Sequence, residues 1–150
     1  MTFERTRDME VVRAIAAHPE AYARASDDFS PPREDWRPIE HAEAWHVIVR
    51  DAGELLGLFS FYPQSPEVWE VHTSFLPAAY GEKAKAAARK CVDWIFRSTT
   101  CRTIVALVPE YNRLAIAFAR AAGMQQLGRL EQTVQKHGCL WDQILLAVSK

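Results

Sequence analysis

Glu70 and His72 stand two residues apart in Trp69-Glu70-Val71-His72-Thr73-Ser74-Phe75, a run whose β-branched and aromatic content favours a strand. Side chains alternate along a strand, so the carboxyl and the imidazole share a face and can take a proton singly, together or through a water. Imidazole titrates near neutrality unaided, whereas a carboxyl needs burial to become a comparable base. A short way on, Gly81 precedes Ala84, Ala87, Ala88, Cys91 and Ile95 at helical spacing. The first turn of such a helix has N–H groups without intrahelical partners and a partial positive charge, which together suit an anion. Gly81 lets the backbone pass close to a phosphate, and Lys83 and Lys85 add cations. Both features also have an ordinary reading: a polar pair on a half-buried strand, and a strand-to-helix turn with solvated lysines.

The surrounding elements must position these groups. Thr2 to Thr6 reads as a strand, Asp8 as the cap of a helix carrying Met9, Val12, Ile15 and Ala16, and Pro19 as the start of a second helix to Ala25. These two helices are expected to cover one edge of a sheet. Ser26 to Pro38 reads as an irregular loop in which Phe29 and Trp36 imply packing against the body or a ligand, the best candidate for a mobile wall of an acceptor pocket. Ala44–Arg50 and Leu55–Tyr62 flank the turn Asp51-Ala52-Gly53-Glu54 as a hairpin, so three consecutive antiparallel strands lead to Leu76.

Arg102 to Val108 is an apolar run expected to be a strand buried on both faces and parallel to the one ending at Leu76. Asn112 suits the cap of a helix whose Leu114, Ala115, Phe118 and Ala122 share a face, with Gly123 just past its end. Gln125–Gln135 and Leu140–Val148 close the chain as a hairpin. The whole is expected to be a single α/β domain with a mixed, mostly antiparallel sheet, one central parallel pair and flanking helices. In such sheets a ligand lies beyond the carboxyl ends of strands, near the start of the next helix, which again selects Phe75 to Lys85.

With 49% hydrophobic and 25% charged residues, the 150-residue chain has an ordinary globular composition. A formal charge of -1 without a clustered basic face gives no support to nucleic-acid binding. No apolar run approaches the roughly 20 residues that cross a bilayer, and no signal core opens the chain, so a cytoplasmic protein without a membrane partner is expected. Cys91, Cys101 and Cys139 lack paired spacing and read as buried small hydrophobes. His18, His41, His46 and His137 have no ligand-like spacing, and no metal is expected.

Three stretches together resemble the GCN5-related N-acetyltransferase superfamily, especially its short bacterial and phage-type members. They are Glu70-Val71-His72 through Leu76-Pro77 to Gly81 and its helix, Tyr111-Asn112-Arg113-Leu114-Ala115 through Phe118 to Gly123-Met124, and Lys136-His137-Gly138-Cys139-Leu140-Trp141-Asp142. The resemblance covers nearly the whole chain. It implies a V-shaped gap where the strand ending near Leu76 splays from the one beginning near Cys101. Acetyl-CoA would enter this gap as cosubstrate, its pantetheine arm along Phe75 and Leu76 and its pyrophosphate on Tyr80, Gly81, Glu82, Lys83 and Ala84. Asn112 would cap its helix or contact the cofactor.

Transfer to a primary amine of a small molecule or protein needs a base, because an alkyl ammonium has a pKa of about 10. Glu70 and His72 are the candidates. Asp27, Asp28, Glu34 and Asp35 would suit a cationic acceptor. Aligned on Gly81, the chain has Ala78 where similar proteins carry Arg or Gln, and Lys83 where a small residue is usual. Ala119 occupies the position of a tyrosine that protonates the leaving thiolate, so Tyr111, Tyr80 or water would have to replace it. These departures keep open a non-catalytic acyl-CoA-binding or interaction domain of the same fold. A nucleotide-binding protein of another α/β family is disfavoured by the lack of GxGxxG or GxxxxGK[ST]. Similar domains often dimerise through terminal strands, which leaves a homodimer open.

Overall fold

A computed structural model describes residues 1–150. Its elements are β1 (Thr2–Thr6), α1 (Met9–Ala16), α2 (Pro19–Ala25), β2 (Trp45–Asp51), β3 (Glu54–Pro63), β4 (Val68–Phe75), a 3-10 turn (Pro77–Ala79), α3 (Glu82–Ser98), β5 (Thr103–Pro109), α4 (Arg113–Ala121), β6 (Gln125–Lys136) and β7 (Cys139–Ser149). The seven strands form one sheet in the order β1-β2-β3-β4-β5-β7-β6. Every pairing is antiparallel except β4 with β5.

Alternation along the strands sorts the core into two layers. Phe59, Phe61, Trp69, Phe75, Ile104 and Leu146 face one way and meet Ala84, Ala87, Ala88, Cys91 and Ile95 of α3. Ile48 and Leu58 face the other way and meet Val12 and Ile15 of α1, whose start is fixed by Asp8 accepting from the amides of Glu10 (3.0 Å) and Val11 (3.3 Å). The first helix therefore lies on a sheet face rather than along an edge, because its apolar stripe meets the inner strands β2 and β3.

Four further expectations are corrected by burial. On β5, Ile104, Ala106 and Val108 are buried, but the opposite face is open, and Leu107 is exposed there. Leu114 is 63% exposed because α4 turns Ala115, Ile116, Phe118, Ala119 and Ala122 towards the core instead. Phe29 is 81% exposed, so it anchors nothing. Cys91 and Cys101 are buried thiols, whereas Cys139 at the β6–β7 turn is exposed. No helix is long and apolar enough to cross a membrane.

Candidate active site

The parallel pair is short. It is made of Val68 with Thr103, Trp69 with Ile104 and Glu70 with Val105, and then it stops. Beyond that level β4 stays paired with β3 as far as Phe75, while β5 stays paired with β7 as far as Pro109. Each strand follows its outer neighbour, so the two part along their inner edges. A cavity of about 400 Å³ occupies the opening, reached by Val71 and Thr73 from one face, by His72 and Ser74 from the other, and by Ala106 and Leu107 across the gap.

The free edge of β4 can be assigned. Glu67 accepts from the amides of Arg102 (2.8 Å) and Thr103 (2.9 Å), so odd-numbered residues of β4 direct their backbone groups towards β5. The Val71 N–H closes the last bridge, to the Val105 carbonyl, so the groups left facing the gap are the Val71 carbonyl and the backbone of Thr73 and Phe75. Leu76 differs, because its N–H donates to Leu56 (2.9 Å) and its carbonyl accepts from Ala79 (2.9 Å).

Beyond the end of β4 and the 3-10 turn, Gly81 caps α3 with φ 87° and ψ -134°, a conformation that essentially only glycine adopts, and no side chain bonds to the helix start. The first amide to find a helical carbonyl is that of Lys85, which donates to Gly81 (3.1 Å), so the N–H groups of Glu82, Lys83 and Ala84 have no helical partner. The Tyr80 amide is already used by Pro77 (3.1 Å). A Cβ at Gly81 would meet nothing within 4 Å, so the approach to these amides is open. Lys83 does not cover it: its Nζ pairs with Glu54 (3.1 Å), and Lys85 pairs with Glu82 (2.7 Å). The hydrogen bond from Lys85, then its charge, holds the Glu82 carboxyl below the usual range. Exposed pairs of this kind contribute little, so either lysine can exchange its carboxylate for a phosphate.

A row of polar residues lines the α1 side. His46, Ser60 and His72 are register partners across β2, β3 and β4, and Tyr62 is the partner of Glu70. The His72 Nε2 lies 3.0 Å from Glu70 Oε1, and Gln64 donates to the other carboxylate oxygen (3.4 Å). The dyad is open to solvent, with side-chain exposures of 60% for His72 and 27% for Glu70. His46 is only 3% exposed, and its Nδ1 lies 2.9 Å from the Ser60 hydroxyl. Burial, then the charge of Arg5, lowers the His46 pKa, which favours the neutral ring. The Tyr62 ring meets the rings of His72, His46 and His41 edge-on at 5.5, 6.0 and 6.2 Å, and burial raises its phenol pKa.

Sequence reasoning passed over His46 and Tyr62. Their spacing in the β2–β3 hairpin is a usable signal, but only once the register puts them on the Glu70–His72 face.

The opposite wall comes from the start of α4. Asn112 Oδ1 accepts from the Ala115 amide (3.2 Å), as a cap does, and its Nδ2 donates to the Arg24 carbonyl (3.4 Å). Tyr111 packs edge-on to Trp141, and its hydroxyl donates to the Ser26 carbonyl (3.5 Å). Burial, then the charges of Asp27 and Asp28, raises the Tyr111 phenol pKa. Ala119 lines the cavity without a hydroxyl, so Tyr111 and Tyr62 are phenols the opening does offer.

Residues 23–28 run over this end and are pinned to the β6–β7 turn. Lys136 Nζ donates to the carbonyls of Ala23 (3.0 Å) and Ser26, and Asp28 accepts from the amides of His137 and Gly138 (both 2.8 Å). Those amides, Gly138 first, hold the Asp28 carboxyl below its ordinary range. Asp28 is therefore committed to the turn rather than to a cationic acceptor. The loop behind it is held as well, by Arg13 donating to the carbonyls of Trp36 (3.2 Å) and Glu34 (2.8 Å).

A mixed sheet whose only parallel pair splays over a cavity, with a bare helix start following the first strand of that pair, is the GCN5-related N-acetyltransferase fold. The chain belongs to the family described as "Protein of unknown function (DUF2824)", whose profile matches residues 39–149. No curated protein matches it in sequence. Among solved structures it is similar to spermidine N-acetyltransferase from Vibrio cholerae in complex with CoA and spermine, at 16% identity over 99% of this chain and 94% of that one, with a TM-score of 0.76. Ribosomal-protein-alanine N-acetyltransferase from Brucella melitensis superposes at 0.70 with 16% identity and full coverage of both chains. A GNAT-family acetyltransferase from Bacillus anthracis superposes at 0.61 with 20% identity, over 72% of this chain and 66% of that one.

Proposed function

We propose that the protein is an acetyl-CoA-dependent N-acetyltransferase of a primary amine. The observation that carries this reading is the end of β4–β5 pairing at Glu70 and Val105, which leaves a free β edge beside a cavity, with a bare helix start a few residues past the end of β4. Pantetheine amides pair with the edge at the Val71 carbonyl, Thr73 and Phe75 as a strand would. The pyrophosphate rests on the amides of Glu82, Lys83 and Ala84 beside Gly81.

Glu70 and His72 take a proton from the acceptor ammonium. The free amine nitrogen then attacks the thioester carbonyl carbon, forming a C–N bond. A β4 N–H stabilises the resulting oxyanion. The C–S bond breaks as the nitrogen loses its second proton, and the thiolate is protonated from Tyr111, Tyr62 or water. One acetyl group moves, coenzyme A leaves as the thiol, and one net proton is released.

Transfer is tested by mass spectrometry of amines incubated with the protein and acetyl-CoA. Glu70→Gln and His72→Ala should each lower turnover by up to about 100-fold while leaving acetyl-CoA affinity nearly unchanged. Full turnover in both variants would remove the base assignment. A second reading, acyl-CoA binding without transfer, is favoured by Ala119, and binding with no product across a broad amine panel would establish it.

A further inference from the structure

On the α1 side the cavity has walls that say something about the acceptor. Tyr22 and Trp36 pack edge-on at 6.3 Å, and with Tyr62, Leu107 and the 66% exposed Ile39 they offer a broad apolar and aromatic surface leading to His72. Asp27 is the only carboxylate in the lining, and it already accepts from the Phe29 amide (3.0 Å) and the Ser30 hydroxyl (2.9 Å). Glu34 is exposed and paired with Arg33 (3.0 Å), and Asp28 is held by the β6–β7 turn. An acceptor with several ammonium groups would leave all but one without a partner, at the cost of burying unpaired charge. An extended polypeptide would have to displace the contacts that pin residues 23–28 and 34–36.

We infer that the acceptor is a small monoamine with an aromatic or branched apolar body, its ammonium directed to the Glu70–His72 dyad and its body against Trp36, Tyr22 and Ile39. This rests on the acetyltransferase reading above and narrows it. Trp36 and Ile39 select the substrate and take no part in proton transfer. The selectivity comes from area: an aromatic body removed from water gains what a solvated polyamine chain cannot.

The test compares 2-phenylethylamine, spermidine and a short peptide with a free N-terminus, with acetyl-CoA as donor and product read by mass spectrometry. The aromatic amine should have the highest kcat/KM, by about tenfold or more. Trp36→Ala should raise its KM about tenfold without changing the KM for acetyl-CoA, and Trp36→Phe should restore most of the loss. Ile39→Asp, at an exposed position that tolerates change, should lower kcat/KM for 2-phenylethylamine and raise it for spermidine. Preference for spermidine or the peptide, or unchanged selectivity in Trp36→Ala and Ile39→Asp, would overturn the inference alone. A protein that does not bind acetyl-CoA at all would overturn the proposed function with it.

Discussion

Glu70 and Val105 are the last register partners between β4 and β5, and the cavity opens one residue beyond them. Their position places the end of pairing, the Glu70–His72 dyad and the row His46–Ser60–His72 at one level of the sheet. The gap is held open from outside, because β3 keeps β4 from Trp69 to Phe75 and β7 keeps β5 from Thr103 to Pro109.

Gly57 is one of the residues holding β4 in place. A Cβ there would lie 2.5 Å from the Ser74 carbonyl oxygen and 2.8 Å from Phe75 Cα, and since both are backbone the strand would have to move. Gly57→Ala should destabilise the fold by about 1–3 kcal/mol, seen as a lower denaturation midpoint. It should also weaken acetyl-CoA binding, because Phe75 lies on the free edge.

His46 links stability to pH. Its pKa is below the ordinary 6.5 in the folded chain, so its contribution is complete above about pH 6.5 and is lost as pH falls through the lower folded value. Melting temperature should fall between pH 7 and pH 5. In His46→Gln, which keeps a polar partner for Ser60, the curve should start lower and be flatter over that range.

Asp28 should act at more acidic pH. Its depressed pKa means that the pin between residues 23–28 and the β6–β7 turn is fully present above about pH 4 and is lost as pH falls through the folded value. Asp28→Asn should melt below the parent protein at pH 7, and the two curves should approach each other only as pH falls below about 4. A constant difference across that range would separate the pin from its charge.

Much of this site was legible in the residues. Gly81, Asn112 and Asp8 announce helix starts by local chemistry, and the period of two in Glu70-Val71-His72 placed the dyad on one face. What escaped depends on tertiary relations. His46 and Tyr62 join the site only through the β2–β3–β4 register, and β7 inserts between β5 and β6, which no local pattern states. The apolar run at Arg102–Val108 suggested a strand covered on both faces, but Leu107 is apolar because it lines an opening. Leu114 matched the helical period and still points to solvent, since the period identifies a stripe without its edges.

The central claim is that the gap beyond Glu70 and Val105 is an acyl-CoA slot, and thermal unfolding with acetyl-CoA tests it directly. At 100 times its dissociation constant the ligand should stabilise the chain by about 2.7 kcal/mol, or about 5–10 °C for a chain of this size. Adenosine diphosphate should give much less, and Gly81→Val, strained at φ 87°, should lose most of the shift. No shift at millimolar acetyl-CoA, or an equal one in Gly81→Val, would contradict the account.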